Sequence, residues 1–263
     1  MEQIRTPDIV VISDAHLGTY GCHADQLLEY LTTTRPRILI INGDFIDIWQ
    51  FRKNYFPVAH LAVLQRVLQM ATDGVKVYYL PGNHDEILRA FNGSVIGPIQ
   101  LRDQLMLQLH GKTHWFFHGD IFDASVQISP LIARIGGYSY DQLIRLNRFV
   151  NKLREKGGRE PMSFARALKI KVKKAVRFIS DFERSAIDMA FEKGCDYVIC
   201  GHIHIPRRHE VTRNGHTVHY LNSGDWVESL TALEYAGKEW QIYRHRPALH
   251  DSLQHESLPS FSS

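Results

Sequence analysis

Five short polar runs carry the side chains able to do chemistry: Ser13-Asp14-Ala15-His16, Asn42-Gly43-Asp44, Pro81-Gly82-Asn83-His84-Asp85, His118-Gly119-Asp120 and Gly201-His202-Ile203-His204. Asp14, His16, Asp44, Asn83, His118, His202 and His204 offer the oxygen and nitrogen donors that divalent transition metals take. A two-metal site needs such a set, with one carboxylate, Asp44, able to bridge both ions. Two ions held together activate a water and polarise the atom it attacks, so hydrolysis needs no protein nucleophile. Asp14 and His16 are two residues apart, as are His202 and His204. An extended strand end would turn both members of a pair to one side, where they could chelate. Gly43, Gly82, Gly119 and Gly201 fit tight turns with close backbone approach. Taken singly, each run is also an ordinary turn, because Asp, Asn and Gly are favoured after any strand. Five in series, each behind an apolar run, set the metal expectation above that one.

The elements that must position these runs are legible in outline. Ile9–Ser13, Arg37–Asn42 and Val75–Pro81 are β-branched, apolar and short, as buried strands are, while Ala24–Thr33 and Val58–Thr72 have helical spacing. The order βαβαβ implies a parallel sheet with right-handed crossovers. In such sheets ligands bind at the carboxyl ends of strands, so the polar runs are expected to converge on one rim. Strand pieces follow from Ser94 to Asp120, ending on Trp115-Phe-Phe117 before His118. Asp196–Cys200 is a further buried strand. Arg208–Arg213 with His216–Asn222, and Leu230–Tyr235 with Trp240–Arg244, have the pattern of hairpins around glycine turns. Between about Ser125 and Lys193 no strand signal appears, and helical spacing broken by Gly136-Gly137, Gly157-Gly158 and Pro161 predicts an inserted cap of three or four helices. The expected organisation is one α/β domain over 1–246, with the cap at about 125–193 and a disordered tail at 247–263.

The 263-residue chain, 44% hydrophobic and 22% charged, is long enough for a full core. No apolar run approaches the roughly 20 residues of a membrane-spanning helix. Three cysteines, an odd count without C-x-x-C spacing, argue against a disulfide framework or a cysteine zinc site and point to a reducing compartment, and the N-terminal residues carry no signal core, so the cytoplasm is expected. The formal charge of +3 is uneven: Arg145 to Arg177 holds twelve Lys and Arg against two acids, so the rest of the chain is net negative.

The five runs resemble the five-block signature of the calcineurin-like metallophosphoesterases, a match spanning residue 8 to about 228. The resemblance implies a four-layer αββα sandwich and a phosphoester substrate. It assigns Asp14, His16, Asp44 and His204 to one ion and Asp44, Asn83, His118 and His202 to the other, with Mn²⁺ expected and Fe or Zn²⁺ open. It further implies that His84 is not a ligand but stabilises the phosphoryl charge or protonates the leaving oxygen, oriented by Asp47. A neutral-pKa imidazole fixed by a carboxylate is a suitable acid at pH 7. Without the resemblance, Asp47 is equally a solvated acid at a helix start.

Within that superfamily, Gly43-Asp44-Phe45-Ile46-Asp47-Ile48-Trp49 lacks the Asp-Arg-Gly of the serine/threonine protein phosphatases and is similar to the Gly-Asp-x-Phe-Glu-x-Trp of UDP-2,3-diacylglucosamine hydrolases, enzymes of lipid A synthesis. His118-Gly119-Asp120, Gly201-His-x-His-x-Pro206 and Gly224-Asp225-Trp226 agree, and the insertion sits where that family carries its lipid-binding cap. One departure is His84, where those hydrolases have arginine. The implied substrate is UDP-2,3-diacylglucosamine or a related lipid-linked nucleotide diphosphate, cleaved to UMP at the cytoplasmic face of a bacterial inner membrane. Arg166, Lys169 and Lys173, set among aliphatic residues from Ala165 to Phe178, would meet acidic headgroups and acyl chains along an amphipathic helix. A solvated helical face and nucleic acid are the other readings of this stretch, though aromatics for base stacking are sparse. Trp49 and Trp226 either line a substrate pocket or belong to the core. The alternatives carried are a phosphodiesterase or nuclease on soluble nucleotides or nucleic acid, and a non-catalytic metal-binding scaffold, whose expected mark, lost ligands, is absent here. Oligomeric state is not legible.

Overall fold

The computed structural model describes residues 4–49, 55–125 and 164–245, with only the backbone described at 123–125 and 164–175. Strands β1 (Ile9–Ile12), β2 (Ile38–Asn42) and β3 (Lys76–Leu80) alternate with helices α1 (Ala24–Thr32) and α2 (Val58–Thr72). β1 pairs in parallel with β2 and β2 with β3, as the βαβαβ order requires. β4 (Val95–Ile96) and β5 (Ile99–Leu101) extend one edge of this sheet.

Next come β6 (Leu105–Leu109), β7 (Lys112–Phe116), helix α3 (Phe164–Glu192), β8 (Tyr197–Cys200), β9 (Arg207–Arg213) and β10 (His216–Asn222). The hairpin of β11 (Thr231–Ala236) and β12 (Glu239–Arg244) returns to the first sheet, antiparallel to β1. The result is a seven-stranded sheet, β12-β11-β1-β2-β3-β5-β4, and a five-stranded sheet, β6-β7-β8-β10-β9.

Period-two alternation sorts each strand's side chains into layers. Val10 and Ile12 face α1 and α2 with Leu27, Tyr30, Val63 and Val67, whereas Ile9 and Val11 face the second sheet with Phe116, Ile199 and Leu221. On the far side of the second sheet, Trp115, Val198 and Val218 pack under Phe182, Ala186 and Ala190 of α3. Strands buried on both faces are therefore continuous apolar runs. The architecture is the expected four-layer αββα sandwich.

Of the expected cap span, 125–193, only Ser125 and the part from 164 are described. Residues 164–192 form one 29-residue helix, and from Phe182 onward that helix is the outer layer of the sandwich and not an insertion. Residues 126–163, with both glycine pairs and Pro161, and the tail from 246 lie outside the described residues.

One buried histidine links the core to pH. His114 is 1% exposed, stacks on Tyr197 with ring centroids 4.2 Å apart, and its Nδ1 lies 3.1 Å from the Lys112 carbonyl, to which it donates. Burial pushes its pKa down from 6.5 to about 4. The unfolded chain therefore binds a proton between about pH 6.5 and 4 that the folded chain refuses, and stability present above that window is lost as pH falls through it. His114→Phe is expected to gain on wild type by about 1.4 kcal/mol per pH unit across the window in urea unfolding. Parallel stability curves for the two proteins would contradict this.

Candidate metal centre

The carboxyl ends of β1, β2, β3, β7 and β8 open onto one rim, and the donor side chains meet there. His204 Nε2 lies 3.3 Å from Asp14 Oδ1 and 3.4 Å from His16 Nε2. Across the rim, His118 Nε2 lies 3.4 Å from Asp44 Oδ2, which is also 3.9 Å from His16 Nε2. Asp14, His16 and His204 bring ligand atoms within 4.8 Å of one another, and so do Asp44, His118 and His202. Asp44 stands between the two sets. A separate open groove of about 950 Å³ lies at the opposite ends of the strands, beside Ile9, Ile38 and Lys76, and shares none of these residues.

The mechanism of convergence differs from the strand-end pleat expected of the i, i+2 pairs. β1 stops at Ile12 and β8 at Cys200, and Asp14, His16, Asp44, His202 and His204 all take left-handed backbone conformations, with φ of 53, 50, 52, 68 and 57°. His202 and His204 accordingly do not chelate together: they point into different donor sets. Left-handed backbone costs a non-glycine residue about 1–3 kcal/mol and persists where surrounding contacts over-determine it. Those contacts are present. Asp14 and His16 N–H donate to the carbonyls of Gly43 and Asp44 at 3.0 and 2.9 Å, the His84 N–H to Asp44 Oδ1 at 2.8 Å, and the His202 N–H to Asp14 Oδ2 at 3.0 Å. Gly43 (φ 86°) and Gly82 permit this closeness, since a methyl group would collide with the His118 ring at Gly43 and with the Asp44 carboxylate at Gly82.

The site fits divalent metal ions. Asp14 Oδ1, Asn83 Oδ1 and His118 Nε2 are buried without a hydrogen-bond partner, a costly state for polar atoms unless a cation satisfies them. Burial opposes charge on His118 and His204, yet Asp44 and Asp14 push the first up to about 10, and Asp14 with Asp225 push the second up to about 9. Burial raises the Asp44 carboxyl, but the imidazoles of His118, His16 and His84 hold it well below the usual carboxylate range. Carboxylates dense enough to keep buried imidazoles protonated make the field that a divalent cation neutralises. His118 Nδ1 donates to the Asn42 carbonyl at 2.8 Å, which leaves Nε2 as the ligating nitrogen.

Beside the donor sets, His84 Nδ1 lies 3.1 Å from Asp47 Oδ2, with the His84 side chain 28% exposed and Asp47 buried. Burial opposes charge on His84, but Asp47 and Asp44 raise its pKa. Asp47 is thus no solvated helix-start acid. Trp49 is 62% exposed and donates Nε1–H to the Asn83 carbonyl at 3.3 Å, so its indole stands on the rim. Trp226 is a correction: fully buried among the aromatics of the first core layer, against Tyr30, it does not line the cleft. The side chains of Arg166, Lys169 and Lys173 lie outside the described residues.

Two acids within the quoted motifs, Asp85 and Asp225, have supporting roles that the motifs alone do not reveal. Asp85 accepts from the Tyr79 hydroxyl at 2.5 Å, Gly82 N–H at 2.6 Å and Phe45 N–H at 3.0 Å, tying the Asn83 loop to the Asp44 loop. Asp225 holds His204. Asp85 sits in the third run, but its tie to the Phe45 N–H comes from a residue 40 positions away and has no local signal.

Fold and site together define a metal-dependent phosphoesterase, and the model of the calcineurin-like phosphoesterase family matches residues 7–206: the chain belongs to that family. Among curated proteins it is 28% identical over 247 residues to a UDP-2,3-diacylglucosamine hydrolase of Xanthomonas campestris pv. campestris, covering 84% of this chain and 92% of the relative. It is 25% identical over 259 residues to the protein of that name from Aeromonas salmonicida, covering 94% and 97%. Solved structures similar to it include an archaeal phosphodiesterase, at 14% identity and a TM-score of 0.42 over 90% of this chain and 98% of that one.

Proposed function

We propose that the protein is a binuclear-metal phosphoesterase of one domain that cleaves the diphosphate of UDP-2,3-diacylglucosamine, or of a related lipid-linked nucleotide diphosphate, and releases UMP. The observation that carries this is the pair of donor sets, Asp14-His16-His204 and Asp44-His118-His202, with Asp44 Oδ2 3.9 Å from His16 Nε2 between them and the Asp47-backed, partly exposed His84 beside them. The names of the curated relatives support the substrate.

In this reading Asp14, His16, Asp44 and His204 hold one ion and Asp44, Asn83, His118 and His202 the other, Mn²⁺ being the first metal to test. The ions, when bound, supply an activated water and offset the phosphate's negative charge. His84 donates a proton or hydrogen bond to the phosphoryl or leaving oxygen, and Asp47 fixes the ring that does so. Trp49 offers a flat apolar face to the substrate at the rim. Arg166, Lys169 and Lys173 meet the anionic headgroup and the surface of the inner membrane, where the substrate resides. Among the described residues no helix is long and apolar enough to cross a membrane.

The test is UMP release from detergent-dispersed UDP-2,3-diacylglucosamine by Mn²⁺-loaded protein, with Asp44→Ala as the blank. Turnover confined to bis-(p-nitrophenyl) phosphate or DNA would discard the lipid substrate, with His84 in place of arginine the first suspect. A metal-replete protein inactive on every phosphoester would support the scaffold alternative. Trp49→Ala is expected to lower kcat/KM on the lipid about tenfold, mainly through KM, the loss of about 1–1.5 kcal/mol of ring contact. An unchanged KM would remove Trp49 from the substrate.

A further inference from the structure

Asp225 lies at the turn after β10, and its side chain is fully buried. Its Oδ2 is 2.8 Å from His204 Nδ1. Its Oδ1 accepts from the Ser229 N–H at 2.6 Å, the Ser229 hydroxyl at 2.8 Å and the Glu228 N–H at 3.0 Å. A carboxylate so surrounded cannot rotate. The turn is also pinned to the metal rim, since Trp226 N–H donates to the Asp14 carbonyl at 3.2 Å and the Ser13 hydroxyl to the Gly224 carbonyl at 3.0 Å.

An ionised carboxylate only accepts, so it fixes the proton of His204 on Nδ1 and leaves Nε2, 3.3 Å from Asp14 Oδ1, as the ligating nitrogen. The His118 imidazole is backed instead by the neutral carbonyl of Asn42. Charge behind an imidazole makes it a more basic ligand than a carbonyl does. The two donor sets thus differ in what stands behind their histidines.

We infer that Asp225 is the positioning residue of the Asp14, His16 and His204 metal position, and that the ion held there depends on it while the ion of the Asp44, His118 and His202 position does not. The inference rests on the binuclear reading above. Asp225→Asn is the decisive variant, because it keeps the shape and an oxygen for Ser229 but can present an amide N–H to His204 Nδ1. That contact would force the proton onto Nε2 and block coordination.

The experiment is Mn²⁺ binding to full-length wild type, Asp225→Asn and Ser229→Ala, read by metal content after dialysis and by electron paramagnetic resonance, with melting of the metal-free proteins alongside. Wild type is expected to bind two ions with the spectrum of an exchange-coupled pair. Asp225→Asn should keep one ion, bind the second about 10–100-fold more weakly, show an isolated-ion spectrum and melt metal-free as wild type does. Ser229→Ala, which retains the carboxylate, should keep the coupled pair.

Two ions at wild-type affinity in Asp225→Asn would overturn the inference. So would equal metal loss in both variants with equally lowered melting, since that would mark a merely structural turn. A single ion in wild type would sink the binuclear reading instead. Asp225 would then stand or fall on whether Asp225→Asn loosens that ion.

Discussion

Asp44→Ala is expected to reduce phosphoester hydrolysis by about 10³-fold or more and to leave the dialysed protein with neither ion firmly bound. Asp44 is 2% exposed and stands between the donor sets, with Oδ2 3.4 Å from His118 Nε2 and 3.9 Å from His16 Nε2. With two ions bound as proposed, its removal would take a negative charge from both at once. It also strands the His84 N–H, which donates to Asp44 Oδ1 at 2.8 Å, so the loop carrying Asn83 and His84 loses a tether. Metal ions contribute several kcal/mol of transition-state stabilisation, and each 1.36 kcal/mol is tenfold in rate. Metal content and kcat, measured on the same preparation with a melting curve to show it is folded, check this together. Retention of two ions with near-wild-type kcat would mean that the centre lies elsewhere.

His84→Ala separates catalysis from metal binding. The variant is expected to keep its metals and its KM while kcat falls by about 10²–10⁴-fold, the usual contribution of a positioned acid. Geometry makes this a sharp test, because His84 also forms a compact triad with His16 and Asp44 that would suit an ion. What favours the acid is that its Nδ1 is 3.1 Å from Asp47, leaving the other nitrogen for the substrate side, and that the ring is partly exposed while His118 is buried. Asp47→Asn should show a smaller kcat loss of the same kind, since it acts through His84 and, at 3.7 Å, on His16 Nδ1. Loss of metal in His84→Ala would make it a ligand and leave the site without its acid.

Much of the fold was legible because its strands are buried on both faces. Continuous apolar runs such as Ile9–Ile12 and Tyr197–Cys200 leave little else for the chain to form, and the polar runs behind them mark where burial ends. The span from Ser125 to Lys193 was less legible. Its helical periodicity does not say what covers it, and Phe182, Ala186 and Ala190 of α3 turned out to face the sheet of β7, β8 and β10. Trp226 shows the same limit for one residue: an indole next to a rim acid has no local mark that sends it into the core.

By itself the sequence marked which side chains are candidates for the site, since the types and order of Asp14, His16, Asp44, Asn83, His84, His118, His202 and His204 are local properties and each follows a recognisable strand. Only the tertiary structure decided the geometry by which they meet. Left-handed backbone at Asp14, His16, Asp44, His202 and His204, not a strand's pleat, aims the donors, and it splits His202 from His204. Asp225 behind His204 is likewise a tertiary fact, because a buried carboxylate reveals its role only through the imidazole that packing brings to it, as it brings His84 to the Asp47 that the resemblance had named.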